Sequence, residues 1–219
     1  MAGVSTETRP LRADAERNRK QLLDAAVEVF AERGLEASTA EIARRAGVGQ
    51  GTVFRRFPTK DDLVAAIVVD RLGEITDAAE ALLADPPPEG RVLAFMAQLA
   101  QIHVRDRGLI EAVNGTRALA DPAVHEAHGA LMDVIEELVK ADREEGLVRE
   151  DLGAFDVMAL TKAVATACEP GIAGAGWKRY LAVVFAGLRP SDDKLPGRAP
   201  TRAQLDRMLA ELAREGCTS

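Results

Sequence analysis

The chain has 219 residues, 47% apolar and 29% charged, a balance that supports a substantial buried core and excludes an intrinsically disordered chain. No apolar run approaches the roughly 18 residues a bilayer span needs. The net charge of −7 is uneven: residues 1–60 hold 11 Lys and Arg against 8 Asp and Glu (+3), residues 61–219 hold 17 against 27 (−10), and such a basic head on an acidic body suits a protein that meets phosphates at one end.

The N-terminal stretch MAGVSTETRPLRADAERNRK has no apolar segment and does not read as a secretory leader; residues 1–13 read as a flexible arm. Leu22, Leu23, Ala26, Val27 and Phe30 follow helical spacing, and Gly34 supplies a left-handed stop with Leu35 placed to pack back. Ser38-Thr39-Ala40-Glu41 is a capping box that starts a short helix ending at Gly47. A second short helix runs from about Gln50 to Arg56, before Pro58. Thr59-Lys60-Asp61-Asp62 then offers an N-cap with acid in the first turn of a long helix reaching about Ala84.

Asp85-Pro86-Pro87-Pro88 is a firm break. Helical patterns follow at about 89–106, 108–119, 123–145 and 154–168. Pro170 and Gly171, Gly174 and Gly176 read as a connection. Trp177, Tyr180, Leu181, Val184, Phe185 and Leu188 then form an apolar stripe. Residues 189–200 read as a linker, and Leu205, Met208, Leu209 and Leu212 as a last amphipathic helix. No segment reads as a strand, so the expected fold is all-α.

The informative stretch is STAEIARRAGVGQGTVFRRFPTK, residues 38–60. Two short helices meeting at a tight turn need a small residue at the contact, and Ala43 fits. They need a left-handed turn residue, Gly47, and apolar anchors to a third helix, Ile42, Val48 and Val53. This is helix-turn-helix spacing, in which the second helix enters the DNA major groove.

The segment from Arg17 to about Ile67 resembles the N-terminal domain of the TetR family of bacterial repressors, through AERG, IARRAGV, GTVFRRF and PTKDDL. The resemblance implies a three-helix DNA-binding domain over 14–60, a ligand-binding and dimerisation domain over 61–189, and a linker with a C-terminal helix over 190–219. It implies base or backbone contacts from Gln50, Gly51, Thr52 and Phe54, and phosphate or base contacts from Arg55 and Arg56. Lys60 matches a phosphate-binding lysine, and Thr39 is expected to cap the second helix near a phosphate. The family usually has Tyr at Phe54 and often His at Arg56. Phe54 lacks the hydroxyl, so it reads a thymine methyl or simply packs, while Arg56 adds a permanent charge.

WKRYLAVVFAGLRP is similar to the last helix of one actinobacterial-type subgroup. In the family the two closing helices form a four-helix bundle with a partner subunit, which implies an interface of Val157, Leu160, Val164, Tyr180, Leu181, Val184, Phe185 and Leu188. His103, Asn114, Arg117 and Trp177 lie on mid-body helices where the family keeps its ligand cavity. The implied partners are an inverted-repeat double-stranded DNA operator, a second copy of the chain and a small-molecule effector, with no cofactor and no membrane.

His125 and His128 are at i, i+3, but no Cys or further His joins them at metal-site spacing, so no metal is expected. No nucleophile elbow, phosphate loop or paired-carboxylate motif is present, so no enzyme is expected. Cys168 and Cys217 alone make no disulfide framework, which fits a reducing cytoplasm. Two alternatives stay open: a ligand-independent repressor or architectural protein of the same fold, and a helical small-molecule-binding protein or enzyme.

Overall fold

The computed structural model describes residues 8–105, 118–167, 176–201 and 204. They contain eight α-helices and no strand, as the sequence pattern requires. The chain divides into two compact units, with the boundary between Ile67 and Val68. None of the described helices is long and apolar enough to cross a membrane.

The first unit holds α1 (Thr8–Arg33), α2 (Thr39–Arg45), α3 (Gln50–Arg56) and the start of α4 (Lys60–Ala84). Gly34, at φ +68, ends α1 as expected, and a single 3-10 turn (Gly34–Glu36) follows it. Leu22, Leu23, Ala26, Val29 and Phe30 of α1 are buried, together with Ile42, Val53, Phe57, Leu63, Val64 and Ile67. Burying a large apolar side chain is worth about 1.5–3 kcal/mol. The first two turns of α4 thus belong to this core, which is why the boundary falls inside α4 rather than at its first residue.

The second unit packs the rest of α4 with α5 (Arg91–Arg105), α6 (Pro122–Glu144), α7 (Ala154–Thr166) and α8 (Gly176–Leu188). Its core draws on Ala79 and Leu82 of α4, Phe95, Met96 and Leu99 of α5, and Leu131, Ile135 and Leu138 of α6. The expected helix at 108–119 lies outside the described residues, save for a 3-10 turn at Ala118–Ala120. The expected helix at 205–212, Cys168 and Cys217 lie outside them too.

Two polar clusters fix this unit. The fully buried Asp142 of α6 accepts the amides of Arg91 (3.1 Å) and Val92 (2.8 Å) and the Arg91 guanidinium (3.1 Å). It satisfies the first donors of α5 from a different helix. Gly90 is at φ +99, and a Cβ there would stand 2.9 Å from the Asp142 carboxylate. Arg149, between α6 and α7, donates to both oxygens of Asp151 and to the carbonyls of Gly187 and Asp193. Asp151 in turn accepts the Leu195 amide at 2.7 Å. The stretch read as a linker therefore has no helix over 189–200 but is hydrogen-bonded back to the α6–α7 corner.

Candidate nucleic-acid interface

Ser38 caps α2: its Oγ accepts the Glu41 amide, and the Glu41 carboxylate accepts the Ser38 amide, both at 3.3 Å. The cap is Ser38 and not Thr39, which is the first helical residue and half-buried. At the other end the Val48 amide reaches back to Ala43 O (3.0 Å) and the Gly47 amide to Arg44 O (3.3 Å). This six-to-one and five-to-two pair needs a left-handed residue, and Gly47 sits at φ +68. Ala43 and Ile42 are buried at the contact, and Val48 is half-buried.

Ion pairs then lock α2 to α1. Arg45 grips Glu32 through both ends of its fork, at 2.8 and 3.0 Å, and Glu28 at 3.1 Å. Arg33 meets Glu41 at 2.6 Å. The Arg45 hydrogen bond holds the Glu32 carboxyl below its ordinary range, and Glu32 first, then Glu28, pushes the Arg45 guanidinium upward.

Of α3, only Val53 is buried. At about 100° per residue, Gly51 and Arg55 lie opposite Val53, Gln50 and Phe54 share one flank, and Thr52 and Arg56 share the other. All six are exposed, Phe54 by 64%. A side chain added at Gly51 would meet nothing within 4 Å. The Thr52–Arg56 flank borders a cleft of about 450 Å³ lined also by Asn18, Leu22, Val48 and Arg55. The sequence reading missed Asn18; its only signal was a place four residues before the buried Leu22, on the same face of α1.

Phe57 is buried and closes α3. Thr59 and Asp62 then form a reciprocal cap on α4: the Asp62 amide donates to Thr59 Oγ1 (3.1 Å), and the Thr59 amide to Asp62 Oδ2 (2.9 Å). Lys60 is the first helical residue, half-buried at this corner. The fold thus gathers Gln50, Gly51, Thr52, Phe54, Arg55 and Arg56 on the exposed faces of one short helix anchored through Val53.

The other expected residues are less united. His103 is half-buried and its Nδ1 lies 2.9 Å from Leu99 O. Trp177 is half-buried against the core, with Lys178 Nζ 5.5 Å from its ring centre. Asn114 and Arg117 lie outside the described residues. A cleft of about 360 Å³ in the second unit is lined by Met132, Asp133, Glu136, Leu152, Phe155 and Ala199, among others, but by neither His103 nor Trp177. Among the described residues, no group of three His, Cys, Asp or Glu is placed to hold a metal ion.

Of the expected interface, Val157, Val164, Leu181 and Leu188 are buried inside the chain's own core. Leu160, Val184 and Phe185 are half-buried, and Tyr180 is exposed. Val183, which the stripe had not included, is 66% exposed on the opposite face of α8.

A sequence profile described as bacterial regulatory proteins, tetR family, matches residues 22–67, and one described as the C-terminal domain of SbtR-like transcriptional regulators matches residues 87–190. The solved structure of a TetR transcription regulatory protein from Mycobacterium vanbaalenii is 38% identical, covers 82% of this chain and 99% of that one, and has a TM-score of 0.63. An HTH-type transcriptional repressor of Mycobacterium tuberculosis is 40% identical over an alignment of 100 positions that covers 41% of this chain. The match spans about half of that relative's length (52%). A similar fold, at 17% identity and a TM-score of 0.59 over 78% of this chain and 99% of the other, occurs in the transcriptional regulator FadR of Bacillus subtilis, solved in complex with stearoyl-CoA.

Proposed function

We propose that this chain, which belongs to the TetR family of bacterial regulatory proteins, is a homodimeric repressor that reads an inverted-repeat DNA operator through α3 and leaves it when a small molecule binds the second unit. One observation carries the DNA-reading part: α3 commits a single side chain, Val53, to the core and presents the remainder outward, directly after an α2 that a capping box starts and ion pairs tie to α1. A helix so short reaches only a few base edges, so two half-sites about one DNA turn apart, roughly 34–36 Å, supply the affinity.

Pairing of two chains draws on the outer face of α8. Beyond Lys178 and Arg179 in its first turn this helix carries no charge, and its outward residues include Tyr180 and Val183. Leu181 and Leu188 face the chain's own core, and the exposed Tyr180, Val183 and Ala186 are the residues proposed to meet a second copy, with the half-buried Leu160 of α7 beside them. Ligand response is supported by the FadR neighbour solved with stearoyl-CoA. Helix α4 carries the coupling: it starts at Lys60 and contributes Ala79 and Leu82 to the second core. A coupling of about 1–3 kcal/mol would weaken operator binding about 5- to 150-fold.

Selection of operators from random duplex DNA by the purified chain tests the proposal, followed by titration of the complex with candidate metabolites. An inverted repeat is the expected result. Failure to enrich any sequence would overturn the DNA-reading function, and enrichment with no metabolite response would favour the ligand-independent form.

A further inference from the structure

Among the described residues, four large apolar side chains are exposed: Phe54, Tyr180, Val183 and Leu195. Tyr180 and Val183 belong to the α8 face already assigned to a second copy, and Leu195 lies on the stretch held by Asp151. Phe54 has no such account. It is 64% exposed on α3, where the fold requires no aromatic group.

We infer that Phe54 is a specificity-determining residue that reads the C5-methyl group of a thymine in the operator's major groove, beside the base pair read by Gln50. The inference rests on the DNA-reading function of α3 proposed above. A phenyl ring has no hydrogen-bonding group, so at a base edge it can recognise only an apolar feature. The thymine methyl is the apolar feature that distinguishes one base pair from another in the major groove. Phe54 shares a flank of α3 with Gln50, one helical turn away, so their Cβ atoms are about 5–6 Å apart. That separation spans one to two base-pair steps of about 3.4 Å. Gln pairs with adenine through N6 and N7, and that adenine's partner or neighbour then brings a thymine methyl within reach of the ring. The opposite flank carries Thr52 and Arg56, and the outermost line carries Arg55, so polar contacts are supplied elsewhere on the helix.

The test uses the selected operator and a series of the same duplex with each symmetric pair of thymines replaced by deoxyuridine, an exchange that removes only the methyl. Binding of the native dimer, Phe54→Ala and Phe54→Leu is measured by fluorescence anisotropy. Losing one buried methyl predicts about a fourfold weakening per half-site and about fifteenfold on the symmetric duplex, at one thymine position only. Phe54→Ala should bind the thymine and deoxyuridine duplexes equally, and Phe54→Leu should keep part of the difference. Where Phe54→Ala binds too weakly to titrate, Phe54→Leu decides: a ratio below the native one supports the reading, and a native ratio overturns it. Because the side chain is exposed, unfolding temperatures should not change. A native dimer indifferent to deoxyuridine at every thymine, or an operator without thymine, overturns the role of Phe54 while the DNA-reading function stands. Failure to select any operator overturns that function itself.

Discussion

Replacing Gly51 with alanine sets folding against DNA binding at a single atom. Gly51 lies within α3 with ordinary helical geometry, and a Cβ built there meets nothing within 4 Å. Nothing in the fold needs a glycine at this position, and glycine inside a helix is about 0.5–1 kcal/mol less favourable than alanine. Gly51→Ala should therefore stabilise the chain by about that amount, a rise of roughly 1–4 °C in unfolding temperature for a chain of this size. On DNA the sign reverses. Gly51 lies opposite the buried Val53, and on the proposed DNA-reading role that line of α3 goes deepest into the groove, where the missing side chain would let the backbone approach. Overfilling a close-packed contact costs about 1–3 kcal/mol. Two half-sites lose at least about 2 kcal/mol together, about thirtyfold in affinity. Calorimetry of the free protein and anisotropy titration of a labelled operator measure the two effects. Stabilisation with unchanged operator affinity refutes the close approach of the α3 backbone, and destabilisation refutes the statement that the fold does not need this glycine.

Lys60→Ala should weaken binding alike on all DNA sequences and reduce the salt slope by about one unit for each phosphate it no longer neutralises, about two for the dimer; altered operator preference with an unchanged slope would sink the phosphate assignment. Gln50→Ala should relax preference at one symmetric base pair, by about 1–3 kcal/mol per half-site, and leave the salt slope unchanged; a repeat selection returning the native operator at every position would remove Gln50 from base reading. Val183→Asp buries a charge between two chains and should cost about 2 kcal/mol or more of dimer stability while the folded chain persists; an unaltered sedimentation profile would move the interface elsewhere. The Arg149 hydrogen bond, aided by the Leu195 amide, lowers the Asp151 carboxyl from 3.8 to about 2. A lowered folded-state value means stability present above about pH 4 and lost as pH falls toward 2. Asp151→Asn should therefore be less stable at pH 6 and lack that part of the acid decline, so parallel unfolding curves from pH 5 to 2 for both proteins would refute the clasp's contribution.

Much of the first unit was legible because its boundaries are written in local chemistry. Ser38 with Glu41, Gly47 after a helix, and Thr59 with Asp62 after Pro58 act within a few residues, and each makes the hydrogen bonds its spacing implies. The outer face of α8 was not legible in the same way. An apolar stripe says that one face of a helix is covered and does not say by what. Leu181 and Leu188 fit the stripe because they face the chain's own core, while Val183 falls outside it. The clasp of Arg149 on Gly187 and Asp193 joins residues 38 and 44 positions apart, and Asp142 reaches back 51 positions to Arg91. No local pattern encodes such pairings. Each residue reads in the sequence as one more surface charge, and only the packing of α5, α6 and α8 gives it a partner.

The charge of the first 60 residues acquires a different meaning once its partners are known. A net +3 over that length is a weak argument for binding DNA, since much of it could be neutralised within the domain. Part of it is: Arg45 is held by Glu28 and Glu32, and Arg33 by Glu41, so two cations and three carboxylates serve to brace α1 against α2. Arg44, Arg55 and Arg56 are exposed and form no ion pair among the described residues. These pairs keep a net −1 of their own, so the positive charge that meets a phosphate is carried by the other cations, among them the exposed Arg44 of α2 and Arg55 and Arg56 of α3. Residues 61–219 add −10, which opposes contact of that part of the chain with a polyanion. On the proposed DNA-reading role, this distribution favours contact through the first 60 residues over contact through the rest. The same ion pairs tie α2, the helix that precedes α3, to α1.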